Sequence, residues 1–287
     1  MPARAKRRGE TRVAVIGGGV SGLSAAFLLQ RDAERTNEKV RAGDDGDGHD
    51  GVATRARAHR GVTLFESSSE LGGHALTVPS PSAGCDVDLG FQVFNMTTYP
   101  HLVGLFGTLG VESEPSDMSF SLSTGSVEWG SIGLRGVFAQ RSNARSGKFL
   151  NMIREILRFG REAPEVLTPE REKEFEDVSL GQYLAAKKYS TFFQESYVVP
   201  MCAAIWSCSD DDAMAFPVRT LVRFWANHHL LNVVERPNWR VVRGRSKAYV
   251  DVVEKELRDV RRGTRVCSVR RTLDGSKVKV TYARTNA

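Results

Sequence analysis

Three groups of residues, in order along the early part of the chain, have types and spacings suited to chemistry. The first is Gly17-Gly18-Gly19-Val20-Ser21-Gly22, which contains GxGxxG counted from Gly17. In that spacing the first glycine permits a tight turn and the second lets a diphosphate approach the backbone. The third lets a helix pack close to a strand, and the helix N-terminus offers free N–H groups to the phosphates. The second group is Glu66 alone. An acid at the end of a strand accepts hydrogen bonds from ribose hydroxyls and disfavours a 2′-phosphate. The third is Gly72-Gly73-His74. A further glycine pair there lets another backbone segment approach the same dinucleotide, which a simple NAD-dependent dehydrogenase does not require. The ordered series therefore favours FAD over NAD.

These groups need a frame. Arg12–Ile16 is a β-branched run ending in glycines and reads as a buried parallel strand. Residues 21–30 follow with Leu23, Ala26, Phe27 and Leu29 at helical spacing, and Val62–Phe65 is a second strand. Strand, glycine turn, helix and strand make the opening βαβ unit of a doubly wound parallel sheet. Glu66 comes 44 residues after the last glycine, where about 20 is usual. Residues 31–60, dense in Arg, Asp, Gly and His, account for the excess and read as a flexible surface insertion. The string from Asp44 to Gly51 does not suit calcium. Counted from Asp45, it puts Asp50 where the turn glycine belongs and Ala56 where the bidentate glutamate belongs.

Beyond residue 90 the pattern changes. Helices are predicted over 99–109 (closing at Gly110), 148–159, 180–186, 218–231 and 246–258, with a hairpin over 119–129. Strand character returns at 240–242, 265–270 and 277–282. The expected organisation is a Rossmann-like FAD-binding domain over 1–94, a mixed α+β substrate domain inserted over 95–238, and a return over 239–287. His228 and His229 sit in an aromatic helical stretch and read as packed or exposed side chains rather than catalytic ones.

Composition sets limits. The 287 residues are 41% hydrophobic and 26% charged, ordinary globular values that exclude wholesale disorder. The net charge of +6 is concentrated at Arg4–Arg8, 141–148 and 261–271. It reads first as a solvated basic surface and second as peripheral contact with an anionic membrane surface. No nucleic-acid motif accompanies it. Cys85, Cys202, Cys208 and Cys267 lack the spacing of a zinc knuckle or a redox pair, which suits a reducing, cytoplasmic setting. No metal site, nucleophile elbow or membrane span is expected.

With its three glycine-and-acid groups, the chain resembles the flavin-containing amine oxidase and phytoene desaturase-like superfamily. The likeness continues through Val87–Asn95, Tyr99-Pro100, Ser116–Phe120, Trp129, Pro200-Met201, Ala204–Trp206, Phe216-Pro217, Arg236-Pro237, Trp239 and Gly244–Ser246. It implies an FAD-dependent oxidoreductase moving a hydride from an organic substrate to flavin. It also places Gly90 and Phe91 near the flavin and gives Val266 a backbone contact with the adenine. His74 stands where many amine oxidases have Arg, which weakens the expectation of an amine. The apolar second domain favours a lipid or polyene. Nothing before Ala287 matches the relatives' final glycine-containing segment, so a truncated record or a non-catalytic dinucleotide-binding remnant is the alternative.

Overall fold

The computed structural model describes residues 11–42, 59–232 and 237–285. The chain folds as two compact units. One comprises the chain up to Phe94, Tyr99–Pro115 and the chain from Arg240 on; Asn95–Thr98 and Ser116–Trp239 form the other. The chain leaves the first unit at residue 95 as expected, but the assignment of Tyr99–Pro115 to the second domain needs correcting, because that stretch returns to the first unit.

In the first unit, β1 (Thr11–Ile16) pairs in parallel with β2 (His59–Phe65), Ile16 lying opposite Phe65. A two-residue strand, Val260–Arg261, joins the other edge of β2, also in parallel. The order is that of the first half of a doubly wound sheet. Strands of a second half are not among the described residues. The helix α1 (Val20–Ala42) packs Leu23, Ala26 and Phe27 against Val62 and Leu64 of β2 and Tyr249, Val250 and Val253 of the helix Lys247–Glu256.

Residues 31–42 correct the insertion reading, since they continue α1 for three more turns. They are rich in Arg, Glu, Lys and Ala, all good helix formers. Ala33 is buried and Glu34 pairs with Arg258 at 2.8 Å. A polar helix needs few apolar residues when one face alone is covered, which is why the segment resembles a loop in sequence. At its other end the proposed insertion also stops short, since His59 and Arg60 open β2. Residues 43–58, with the rejected calcium string, lie outside the described residues, as does Arg236.

Two smaller elements complete this unit around its cleft. β3 (Thr77–Ser80) and β4 (Cys85–Asp88) form an antiparallel hairpin, and α2 (Pro100–Leu109) ends on Gly110 in the left-handed region. Asp88 locks the hairpin to the helix Lys247–Glu256. Its carboxylate accepts from the buried Ser246 (N–H at 3.1 Å, hydroxyl at 2.7 Å) and from the Thr77 hydroxyl at 2.6 Å. An acid at a helix N-terminus also complements the helix dipole.

The second unit is mostly helical, apart from the strand pair Ser121–Ser123 and Glu128–Gly130. The helix Gly147–Glu162 buries Phe149, Met152, Glu155 and Phe159, while Leu157 is exposed. The buried Glu155 carboxylate is satisfied by the Ser190 N–H at 2.9 Å and hydroxyl at 2.5 Å. Between the helices Thr191–Phe193 and Val199–Trp206 lies a π-helical turn, Gln194–Val198. Pro200 has no N–H to give to the carbonyl four residues back, that of Ser196. The Trp129 indole donates to that carbonyl instead, at 3.1 Å.

The helix Val218–Asn227 stops four residues short of the predicted Leu231, because His229 turns left-handed and Leu230 N–H bonds back to Trp225. His228 is buried, its ring stacked on Phe224 at 3.9 Å. Trp225, fully buried, contacts Phe159 and Tyr197. Trp225→Ala should therefore cost about 3–5 kcal/mol of stability. The exposed Leu157→Ala should change it by less than about 0.5 kcal/mol. Urea unfolding of both variants checks this, and similar losses would mean that Trp225 does not centre the core.

Candidate functional site

The glycine turn after β1 is built on three backbone approaches. Gly17 has φ +99° and donates its N–H to the Phe65 carbonyl at 2.8 Å. A Cβ on Gly22 would lie 1.8 Å from the Gly17 carbonyl oxygen, so α1 can start there only because residue 22 has no side chain. Gly72 N–H bonds to the Gly18 carbonyl at 2.8 Å, and a Cβ on Gly73 would come within 3.1 Å of the Gly19 Cα. The glycine pair thus closes over the first turn. Gly72 and Gly73 both have positive φ.

At Gly17 and Gly19 alike a Cβ would meet nothing within 4 Å. Of the two only Gly19 has a φ outside the left-handed region, so it alone is kept free of a side chain by neither contact nor conformation, and it faces open space. That space is a cleft of about 900 Å³ lined by Gly17, Gly19, Val20, Ser21, Gly22, Gly72, Gly73, His74 and Phe91, all predicted from sequence. Val20, Ser21 and Gly22 precede the first bond of α1, Leu23 N–H to Gly19 carbonyl at 2.9 Å, so their N–H groups are those that a helix leaves free. The first turn of α1 carries no acid. No Asp, Glu, Lys or Arg lines the cleft among the described residues.

Four predicted residues lie elsewhere. Gly18 packs inward, where a Cβ would lie 2.7 Å from Leu71 Cδ2, and donates its N–H to Glu66 Oε2 at 2.6 Å. Glu66 sits beneath the turn, where its other oxygen accepts from Ser68 N–H at 2.7 Å and Ser67 hydroxyl at 3.1 Å. A carboxylate has about four lone-pair sites, so it retains capacity for a ribose hydroxyl. Partial burial pushes the Glu66 pKa up, but the N–H groups of Ser68 and Gly18 and the Ser67 hydroxyl outweigh it and hold it below the ordinary value. Gly90 packs on the His74 carbonyl, 2.2 Å from where its Cβ would be, while Phe91 N–H bonds that same oxygen at 2.7 Å. Val266 pairs with Tyr282 in the strand Thr264–Arg271, outside the cleft. That strand starts at Glu66, whose carbonyl accepts from Thr264 N–H at 2.7 Å.

Tyr99, a candidate cavity residue that packing alone could equally explain, lines the opposite wall. The sequence reading missed the rest of that wall: His101, Leu102, Leu105 and Thr108 of α2, Ser24 and Leu28 of α1, and Tyr249. The helical period over 101–108 was visible, but placing the segment in the second domain hid its role. Burial raises the pKa of Tyr99 and pushes that of Tyr249 up to about 12, so both phenols stay neutral.

A model of the flavin-containing amine oxidoreductases matches residues 20–286. The chain belongs to that family. FAD is accordingly its cofactor, and the cleft fits it: a glycine cradle with free space above Gly19, a helix N-terminus and no carboxylate on the wall. No curated protein matches by sequence. Among solved structures, a redesigned putrescine oxidase double mutant matches with a TM-score of 0.63 at 17% identity, covering 96% of this chain and 55% of its own. Cyclohexylamine oxidase from Brevibacterium oxydans IH-35A matches with a TM-score of 0.61 at 16% identity, covering 96% and 57%. At these identities the likeness is one of fold, and the chain spans little more than half the length of either neighbour.

Two glycines should separate folding from binding. Gly22→Ala should lower the melting temperature, because its methyl group meets a carbonyl. Gly19→Ala should melt like wild type yet bind FAD more weakly, because its methyl group occupies the phosphate space. Equal melting and equal affinity in both would mean that the cradle is not where the diphosphate sits.

Glu66→Ala should weaken FAD binding by about 1.5–3 kcal/mol. Its melting curve shows whether lost folding contributes. Glu66 also makes stability depend on pH. A carboxylate with a lowered folded pKa contributes fully above its unfolded value, near 4.5, and the contribution is lost as pH falls through the folded one. Wild type should therefore lose an increment of stability below about pH 4.5 that Glu66→Gln lacks. Parallel curves for the two proteins would contradict this.

Proposed function

We propose that this chain forms the diphosphate cradle and substrate unit of an FAD-dependent oxidoreductase acting on a C–N or C–H bond of an organic molecule. The observation that carries the proposal is the open space above Gly19, facing the first N–H groups of α1 in a cleft without carboxylates. Bound flavin supplies the redox chemistry by accepting a hydride from the substrate. The residues of this chain supply attachment and orientation. Gly17, Gly19, Val20, Ser21 and Gly22 receive the diphosphate, Gly72-Gly73-His74 close over it, Glu66 receives the ribose, Gly90 and Phe91 approach the flavin, and the Val266 strand approaches the adenine. No residue is assigned a direct part in the reaction.

A lipid or polyene is the first choice of substrate class, supported by the apolar and aromatic make-up of the second unit. An amine is the second, supported by the putrescine and cyclohexylamine oxidases among the structural neighbours. A reducing, cytoplasmic setting suits four free cysteines, and among the described residues no helix is long and apolar enough to cross a membrane.

Anaerobic mixing of the FAD-loaded chain with polyenes, lipids and primary amines tests the reading. Loss of the yellow oxidised absorbance with one class assigns the substrate. Bound FAD that no class reduces would overturn the oxidoreductase reading for this chain and leave a dinucleotide-binding module.

A further inference from the structure

One of the basic runs of the chain is nearly free of acids. From Val260 to Thr285 there are eight Lys and Arg residues against a single acid, Asp274, more positive than the whole chain's net +6. This stretch includes an antiparallel hairpin, Thr264–Arg271 with Val278–Arg284, whose side chains are mostly exposed. Arg261 and Arg262 at its root are paired with Asp259 and Glu254. The other six cations (Arg265, Arg270, Arg271, Lys277, Lys279 and Arg284) form no ion pair among the described residues. In the second unit Arg171, Lys187 and Arg219 have carboxylate partners, whereas Arg141, Arg145 and Lys148 form no ion pair among the described residues.

The register sorts the hairpin into two faces. Arg270 lies opposite Lys279 and Ser268 opposite Thr281, which makes one face basic and polar. Val269 opposite Val280 and Arg271 opposite Val278 make the other mainly apolar, with Val269 and Val278 each about half exposed. Leu273 at the tip is fully exposed. The tip holds it there. Asp274 accepts from the Thr272 hydroxyl at 2.6 Å and from the Ser276 hydroxyl at 2.6 Å and N–H at 3.1 Å. The Ser276 and Thr272 hydroxyls lower its pKa to about 2, so the one negative charge of the hairpin is tied into the turn.

We propose that this hairpin docks the protein on an anionic lipid surface, with Leu273 at the acyl boundary and the unpaired cations among the headgroups. Basic residues attract the negative surface, and apolar side chains beside them gain from entering the interface. The apolar tip separates this partner from nucleic acid. Phosphates would engage the arginines and lysines but offer nothing to an exposed leucine at the tip or to the exposed Val269 and Val278.

Sedimentation with vesicles tests it, using phosphatidylcholine alone and an equal mixture with phosphatidylserine. The protein should pellet with the mixed vesicles, remain soluble with phosphatidylcholine, and be released by salt. Leu273→Asp should lower the apparent affinity by about tenfold, and Arg270→Glu with Lys279→Glu by at least about tenfold. All three sites are solvent-facing, so melting temperatures should not move. The proposal is overturned if phosphatidylserine makes no difference or if neither variant weakens binding. It is also overturned if duplex DNA strips the protein from the vesicles in an Arg270-dependent way, or if sedimentation velocity shows a dimer that Leu273→Asp dissociates.

Discussion

The first unit depends on one steric constraint: backbone meets backbone where no Cβ can stand. Gly22 lies against the Gly17 carbonyl and Gly73 against the Gly19 Cα. Those two approaches set where α1 begins, and hence where its free N–H groups point. They also bring Gly72-Gly73-His74 over the turn. Open space above Gly19 is the remainder, and it is the part that a diphosphate can use. The cleft is thus a consequence of packing distances that only glycine allows.

Around this turn, polar groups are satisfied by the protein itself. Glu66 is held by Gly18, Ser67 and Ser68 beneath the cleft. Asp88 fastens the β3–β4 hairpin to Ser246 at the start of the helix Lys247–Glu256. Gln30 on α1 accepts from Arg258 N–H at 3.0 Å and donates to the Glu256 carbonyl, which ties α1 to the end of that same helix. With the acids engaged beneath or beside the turn, the wall facing an anionic ligand carries none.

Legibility in the sequence followed the physics of each element. The glycine series was readable because its conformations exclude other residues, and β2 because Val62, Leu64 and Phe65 are buried. The expectation of a buried strand fails for β1, which lies at the sheet edge among the described residues, with Ile16 53% exposed and none of Arg12–Ile16 buried. The α1 extension was missed because residues 31–42 signal only through helix propensity, a weak indicator when charges dominate. Val260–Arg261 was missed because two residues have no period. The α2 wall was seen as a helix but assigned to the wrong unit, since nothing local shows that the chain crosses between units at Asn95–Thr98 and returns. The π-turn before Pro200 depends on a distant indole, Trp129, which no local pattern contains.

The central claim is that the cleft above Gly19 receives the diphosphate of FAD. Calorimetric titration of the purified chain with FAD, NAD and riboflavin, followed by the same titrations in the presence of ADP, tests it most directly. The account predicts that FAD binds in preference to NAD, that ADP competes with FAD, and that riboflavin, which lacks the diphosphate, binds poorly. Preference for NAD, or FAD binding that ADP leaves unchanged while riboflavin displaces it, would contradict the account.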